Sequence, residues 1–284
     1  MDLKIFIKDS TKDMSEIDTN SIDLIITSPP YWDIIDYNHP NQLGRGLTYK
    51  HFLQLLKSNF LECMRVVKED SFIAIIVGDI RKGGKEIFNK DERPRVYPFH
   101  SDIINYFIEM DFELFQQFIW QKTSVKKGEK GKILYGSRGT GEFIEYAAPP
   151  FLYTDLSVEH ILVFRKPGNK QKRDFTFRLT DEFTRIPIEK AKEWMNPVWK
   201  IESPRNKKHK ATFPNEIATR LIKLFSMRND LVLDPFCGTG TVIKEAIKLQ
   251  RNAIGYELSQ DFLSDLSVEL DLTKTDFGYC NNLL

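Results

Sequence analysis

Eleven residues, Leu231-Val232-Leu233-Asp234-Pro235-Phe236-Cys237-Gly238-Thr239-Gly240-Thr241, constrain this chain more than any other stretch. Three apolar residues with strand character run into a turn carrying Gly-x-Gly, and a helical pattern from Val242 to Leu249 follows. Glycine lets the backbone turn tightly and approach a ligand closely, so a strand, loop and helix of this kind predicts a binding turn at a sheet edge. Only 44 of the 284 residues follow Gly240, enough for one more strand and helix but not for a sheet. The remaining strands must therefore come from upstream, which puts the ligand-binding half after the other half in sequence.

The upstream chain supplies them. Short β-rich apolar runs lie at 4–7, 22–27, 72–77, 113–120 and 160–165, joined by 231–233 and 253–256, about seven in all. Between the second and third, Phe52, Leu55, Leu56, Phe60, Cys63, Met64 and Val67 fall on one helical stripe, a crossover helix. Further helices are expected at 101–110, at 214–225 with Pro214 in the first turn, at 242–249 and at 260–270. The alternation predicts an α/β fold with crossover helices. Two regions break it: 81–98, rich in charge, Gly and Pro, and 123–197, whose glycines at 128, 131, 136, 139 and 141 punctuate an inserted region.

Composition sets limits. With 41% hydrophobic and 12% aromatic residues the chain can bury a large core, and no apolar run reaches the roughly 18 residues of a membrane span. The N-terminus lacks a signal-peptide pattern, so a soluble cytoplasmic protein is expected. Cys63, Cys237 and Cys280 have no C-x-x-C spacing, which suggests neither a disulfide framework nor a zinc site, and no metal is expected. A net charge of +1, from 41 Lys and Arg against 40 Asp and Glu, excludes only a surface basic all over.

Glu257 closes the strand after the glycine loop, 19 residues beyond Gly238, where a carboxylate typically takes ribose hydroxyls. Ile243 occupies the position where a dinucleotide fingerprint needs a third glycine or alanine, and no Gly-Lys-Ser/Thr follows. S-adenosylmethionine, a nucleoside without phosphates, is the best candidate, an ordinary tight turn being the plain alternative. A second turn, Ser28-Pro29-Pro30-Tyr31-Trp32, ends the 22–27 strand and should share the same crevice. Two prolines stiffen it and remove N–H donors, leaving carbonyl oxygens and the Ser28 hydroxyl as acceptors for an exocyclic NH₂; Tyr31 offers a face for a flipped base. The alternative is a Pro-Pro turn with its aromatics in the core.

On Thr27-Ser28-Pro29-Pro30-Tyr31-Trp32 and Asp234-Pro235-Phe236-Cys237-Gly238-Thr239-Gly240-Thr241, the chain resembles the beta-class DNA amino-methyltransferases, which modify N4 of cytosine or N6 of adenine. Lys8-Asp9-Ser10, Val77-Gly78-Asp79, His160 to Phe164, Lys208 to Pro214 and Gly255 to Ser259 add support, in the order of that class from about residue 3 to 270. The resemblance implies a seven-stranded, Rossmann-like methyltransferase sheet. It divides into a catalytic half over 1–122, a target-recognition region over 123–197 with a returning strand near 159–165, and a cofactor half over 198–284. It implies Asp9 near the cofactor's adenine amino group, Glu257 on the ribose, and Asp234, Phe236, Thr212 and Phe213 near the methionine end, with Pro235, Gly238, Gly240 and Thr241 completing the loop. Lys210 stands where the family commonly has proline.

The expected activity is methyl transfer to a flipped base, with Ser28, Pro29, Pro30, Tyr31 and Asp79 at the reacting end; Asp79 is expected to bond Ser28 or accept the released proton. A first-position serine mostly marks N4-cytosine enzymes in this family, with N6-adenine the alternative and a non-catalytic S-adenosylmethionine- and nucleic-acid-binding module a distant one. Cys63 and Cys237 are read as structural, not as C5-methylation nucleophiles. The partner is double-stranded DNA, with a cognate restriction endonuclease in a restriction–modification system expected and both a monomer and a homodimer open. Phosphate contacts are expected from Lys126, Lys127, Lys130 and Arg138, in a stretch from 122 to 138 with six basic residues against one acid, from Lys207 and Lys208, and from the basic run 165–173. An acidic segment from 256 onward cancels these runs in the total.

Overall fold

The computed structural model describes residues 2–37, 39–82, 95–122, 126–127, 133–134, 156–203, 212–259 and 277–278. In chain order the strands are β1 (Leu3–Ile7), β2 (Ile22–Thr27), β3 (Val67–Val77), β4 (Ile80–Lys82), β5 (Arg95–Tyr97), β6 (Glu113–Lys122), β7 (Lys126–Lys127), β8 (Ile133–Leu134), β9 (Val158–Arg165), β10 (Val198–Ile201), β11 (Leu231–Asp234), β12 (Asn252–Glu257) and β13 (Phe277–Gly278). The helices are α1 (Tyr49–Val66), α2 (Phe99–Glu109), α3 (Phe175–Thr180), α4 (Ile188–Trp194), α5 (Asn215–Phe225) and α6 (Thr241–Lys248).

Nine strands form one sheet in the order β10-β6-β9-β3-β2-β11-β12-β1-β13, all parallel to their neighbours except β9, which runs antiparallel to both β3 and β6. Every residue of β2 is buried, as an unbroken Ile-Asp-Leu-Ile-Ile-Thr run must be when helices cover both faces. Alternate residues divide between the faces: Ile25, Ile73 and Ile75 pack with α1 and α2 through Phe52, Phe60 and Phe107. Leu24, Ile26, Ala74 and Ile76 pack with α5 and α6 through Ile217, Leu221, Val242 and Ala246. The result is a three-layer α/β/α domain.

β1 pairs with β12 from Leu3↔Ala253 to Ile7↔Glu257, so the first strand completes the half that the late glycine loop begins. All seven expected strands are in the sheet. The two additional ones are edges: β10, whose four residues alternate exposed and buried, and β13, a two-residue strand beside β1. β3 also starts earlier than its apolar run, at Val67, through Val-Lys-Glu-Asp, with an irregularity in its register against β2. A polar lead-in hides such a strand from an alternation count.

The crossover helix is α1, capped by Thr48 Oγ1, which accepts from the His51 N–H. Within its stripe, Leu55 is partly exposed and Val67 belongs to β3. Pro214 caps α5 from outside its first turn. α3 and α4 are two short helices in the 123–197 stretch that the periodicity did not foreshadow. The helix expected at 260–270 lies outside the described residues. No described helix is long and apolar enough to cross a membrane.

Gly255 in β12 lies directly under the glycine loop: a Cβ there would sit 2.9 Å from Cys237 Sγ and 3.3 Å from Ile243 Cδ1. Gly255→Ala should therefore destabilise the fold by about 1–3 kcal/mol through overpacking. Urea unfolding with an unchanged midpoint would show that the loop has slack at this point.

Candidate active site

β11 and β2 are neighbours, yet the helix after β11 lies on one face of the sheet and the helix after β2 on the other. Connections that part in this way open a crevice beyond the carboxyl ends of the two strands. A crevice of about 710 Å³ lies there, walled by Asp9, Ser28, Tyr31, Phe236, Gly238 and Glu257 among others.

Asp234 ends β11 only 3% exposed, and its Oδ1 accepts from Thr27 Oγ1 at 2.8 Å and from the Phe236 N–H at 3.1 Å. These neutral donors join β2 to β11 at the point where the crevice opens. Burial pushes the Asp234 carboxyl up to about 7, and the nearby Glu257 charge adds to the rise. Gly238 and Gly240 have φ of +50° and +77°, and Gly240 in the left-handed region starts α6. The Gly238 N–H donates to Glu257 Oε2 at 2.9 Å and the Ser259 N–H to Oε1 at 2.8 Å. Burial also raises the Glu257 pKa. Among the described residues no atom lies within 4 Å of the place a Gly238 Cβ would take, which leaves backbone open to a ligand.

Across the crevice, Asp9 Oδ1 takes both the amide and the hydroxyl of Thr11, at 3.0 and 2.6 Å, while Oδ2 has no partner among the described residues. Ser10 Oγ donates to the Pro235 carbonyl at 2.7 Å, and Asn59 Nδ2, buried on α1, donates to Ser10 Oγ at 3.0 Å. Helix α1 thus ties the β1 loop to the glycine loop. An accepting carboxylate at each end and bare backbone between them suit a nucleoside.

The Ser28 to Trp32 turn forms the adjoining wall. Ser28 Oγ has no partner among the described residues, and Pro29 is buried. Tyr31 is held at its far end, where the Gly78 N–H donates to its hydroxyl at 3.0 Å, and its own N–H donates to the Tyr37 hydroxyl at 3.4 Å. Burial raises both phenols, Tyr37 to about 12, so both stay protonated near neutral pH. Trp32 is buried with φ of +45°, and its indole N–H donates to the Leu47 carbonyl at 2.8 Å. Gly44 crosses its backbone so closely that a Cβ would lie 2.8 Å from the Trp32 carbonyl carbon. Residues 35–37 and 39–47 are thereby folded over the crevice, and Tyr37, His39 and Gln42 join its wall. Sequence reasoning missed this flap; its only trace is an Asn-His-Pro-Asn cluster that reads as an ordinary loop.

Of the expected ligand residues, Asp9, Thr212, Pro235, Phe236, Gly238 and Glu257 are on the wall with Ser28, Pro29, Pro30 and Tyr31. Asp234, Phe213, Gly240 and Thr241 stand behind it. Asp79 is placed differently from expectation: its Oδ1 binds His100 Nδ1 at 2.6 Å, and no bond to Ser28 occurs among the described residues. His100 in turn stacks on His160 with centroids 3.8 Å apart and planes 6° from parallel. Asp79, His100 and His160 bring three potential ligand atoms within 4.8 Å of one another. An imidazole binds a metal in its ring plane, and two parallel stacked rings share no such point, so the stack must break before it can chelate. Burial raises the Cys63 and Cys237 thiols, which fits structural roles. Cys280 lies outside the described residues.

The basic run 165–173 is a correction. Because β9 is antiparallel, Arg165 pairs with Phe72 at the start of β3 while His160 pairs with Val77 at its end, so the run lies on the rim opposite the crevice. Arg165 pairs with Glu113, Lys166 donates to the Met64 and Val67 carbonyls at 2.7 and 2.8 Å, and Arg173 lies 3.6 Å from Asp230. Of the five basic residues in that run, only Lys170 and Lys172 are exposed. Lys126 and Lys127 lie in the β7–β8 ladder, their side chains outside the described residues together with Lys130, Arg138, Lys207 and Lys208.

A sequence profile described as DNA methylase matches residues 22–268. Type II methyltransferase M.MjaI of Methanocaldococcus jannaschii is 31% identical, over 97% of this chain and 93% of its own length. TTHA0409 of Thermus thermophilus, solved in complex with S-adenosyl-L-methionine, superposes with a TM-score of 0.70 at 26% identity, over 98% of this chain and 99% of its own. The cytosine-N4-specific PvuII DNA methyltransferase superposes with a TM-score of 0.62 over 95% of this chain and 86% of its own; at 19% identity that likeness is one of fold.

The Asp234 carboxyl yields a pH prediction. Folding raises its pKa from the ordinary 3.8 to about 7, so the native state binds the extra proton and stability falls as pH rises through that window. Asp234→Asn keeps an oxygen for Thr27 and Phe236 but carries no charge. Its stability relative to wild type should climb between pH 4 and 7, by up to about 4 kcal/mol, and level off above. Parallel stability curves across that range would remove the buried charge from this account.

Proposed function

The chain belongs to the DNA methylase family of N4- and N6-amino-methyltransferases, with S-adenosyl-L-methionine as its cofactor, and from that premise we propose that it methylates the exocyclic N4 of a cytosine swung out of double-stranded DNA. The observation that carries this reading is the Ser28 hydroxyl, without a partner among the described residues, on a Pro-Pro turn at the crevice. The residues on the wall fit the cofactor: Asp9 Oδ2 is an open acceptor for an adenine amino group, Glu257 an acceptor for ribose hydroxyls, and Gly238 bare backbone between them. When bound, the cofactor supplies a methyl group on a positively charged sulfur.

An exocyclic amine is a weak nucleophile because its lone pair is delocalised into the ring. Ser28 Oγ and the Pro29 carbonyl accept its two hydrogens and turn the lone pair out of the ring plane, an effect of position and electrostatics. With the Asp79 carboxylate engaged by His100, these two oxygens are the first acceptors of the amine's hydrogens, and Asp79 is a later relay. The Tyr31 ring, held by Gly78, is the face on which the extruded base stacks. The Thr27–Asp234 bond holds the cofactor loop beside the base turn. Adenine N6 presents the same two hydrogens and is the second reading; the serine at the first motif position favours cytosine. Type II relatives suggest a cognate endonuclease acting on the same site. Recognition falls to 123–197, with Lys126, Lys127, Lys130, Arg138, Lys207 and Lys208 on phosphates.

Incubation with labelled cofactor and mixed-sequence DNA, then digestion to nucleosides, should yield N4-methylcytosine. N6-methyladenine would select the second reading, and no labelled nucleoside would refute both. Ser28→Ala and Tyr31→Ala should each lower methyl transfer by roughly 100-fold while cofactor affinity persists. Neutralising Lys126, Lys127 and Lys130 together should reduce the slope of log affinity against log salt by about 2 to 3, and an unchanged slope would remove them from the phosphate contacts.

A further inference from the structure

Stacking requires only an aromatic ring, so the Tyr31 hydroxyl needs a reason of its own. A phenol has one O–H to give and lone pairs to accept with. The accepting side is filled by the Gly78 N–H at 3.0 Å. The carboxylate near the donating side is Glu159, the second residue of β9, whose charge adds to burial in raising the phenol's pKa. Register explains the meeting: β3 and β9 pair as far as Val77↔His160, which brings Glu159 beside Gly78 at the end of the ladder. A Cβ on Gly78 would lie 3.0 Å from Glu159 Cγ, so glycine is what lets the carboxylate come this near. On its other side Glu159 pairs with Trp120 across β6 and takes an ion pair from Lys122 Nζ. Lys122 is fixed too, its N–H donating to the Ser157 carbonyl at 2.9 Å. The Glu159 side chain is only 13% exposed.

We propose that Glu159 is a positioning residue for base methylation: held by Lys122, its carboxylate takes the Tyr31 O–H and, with the Gly78 N–H, fixes the ring on which the extruded base stacks. This rests on the reading of Tyr31 as the base-stacking wall. Lys122 ion-pairs with the carboxylate, and the pair gives the phenol a charge-assisted acceptor, stronger than a neutral one. With both bonds in place the ring is pinned at the backbone and at the hydroxyl. With the Glu159 bond absent, the ring is free to tilt, and a base stacked on it presents its amine to Ser28 less often. The predicted defect therefore lies in turnover and not in cofactor binding.

The test is a double-mutant cycle on the full chain with cognate DNA, reading single-turnover methyl transfer and, by calorimetry, cofactor affinity. Glu159→Met keeps the length of the side chain against Gly78 and should lower the rate about 10-fold, with cofactor affinity within about twofold of wild type. Glu159→Gln, whose amide oxygen still accepts, should recover most of that loss. Tyr31→Phe removes the hydroxyl by an independent route and should cost about as much as Glu159→Met, and the two together should cost no more than either alone. Full additivity, a wild-type rate in Glu159→Met, or no rescue by Glu159→Gln would each overturn the proposal. Its failure is separable from that of the base-pocket reading: if Tyr31→Ala methylates at the wild-type rate, the stacking wall falls, whereas a damaged Tyr31→Ala with additive Glu159 and Tyr31→Phe effects removes Glu159 alone.

Discussion

The hydrogen bond from Thr27 Oγ1 to Asp234 Oδ1 is the constraint on which the rest of the site depends. It joins the two strands whose connections part to opposite faces, and any parallel sheet with that topology opens at such a point. The Ser28 turn leaves from one partner and the glycine loop from the other, so this bond helps set the spacing between the two turns. Thr27 and Asp234 are both nearly inaccessible to solvent, and the acceptor is a carboxylate whose own bonds come only from neutral donors. Burying it is unfavourable, as its raised pKa records. The fold tolerates this because a hydroxyl and an amide satisfy one oxygen.

How much of this could be read from the chain divides along a physical line. Local geometry was legible: the glycine loop, the Ser-Pro-Pro-Tyr turn, Glu257 and the interior strands all carry their signals within a few residues, since turn chemistry and strand burial act at that range. That the remaining strands come from upstream was implied by counting the residues left after Gly240; that β1 is the one beside β12 was not, because strand pairing is a long-range choice. The edge strands β10 and β13 were missed because half-buried or very short strands lack an apolar run. The flap formed by residues 35–37 and 39–47 was missed because its position comes from the Trp32 indole bond and the crossing at Gly44, contacts that no periodicity encodes. The Asp79–His100 pair belongs to the same group, since Asp79 on the β3 exit meets a residue from the start of α2.

Charge was the least legible property. A count of lysines and arginines treats each as available to a phosphate, yet much of this chain's charge is wired internally. Lys8 serves Asp13 and Glu16, Lys122 serves Glu159, and Arg220 serves Glu216 and Glu193. Arg251, fully buried, donates to the Phe183, Leu249 and Ser226 carbonyls. The antiparallel strand β9 then carries the 165–173 run to the rim away from the crevice. A sum near zero says little about DNA, and neither does a local run until the strand direction is known.

The groups on the crevice wall also bear on what kind of catalysis the site can offer. Tyr31, Tyr37 and Tyr256 have their pKa values raised by burial, so they remain protonated and act as rings and hydrogen-bond donors rather than as bases. Glu257 is committed to two backbone amides, and Asp234, whose carboxyl burial lifts to about 7, stands behind the wall. Transfer of a methyl group from a charged sulfur needs little acid or base before the bond forms: the leaving group departs neutral, the amine presents its lone pair, and the methylated nitrogen then sheds one proton. In the proposed reading, a wall of fixed acceptors and a pinned ring supplies that presentation. The physical demand on this fold is therefore precision of placement, which explains why so many of its buried polar bonds, from Asn59 through Ser10 to Pro235 and from Gly78 to Tyr31, hold loops rather than titrate.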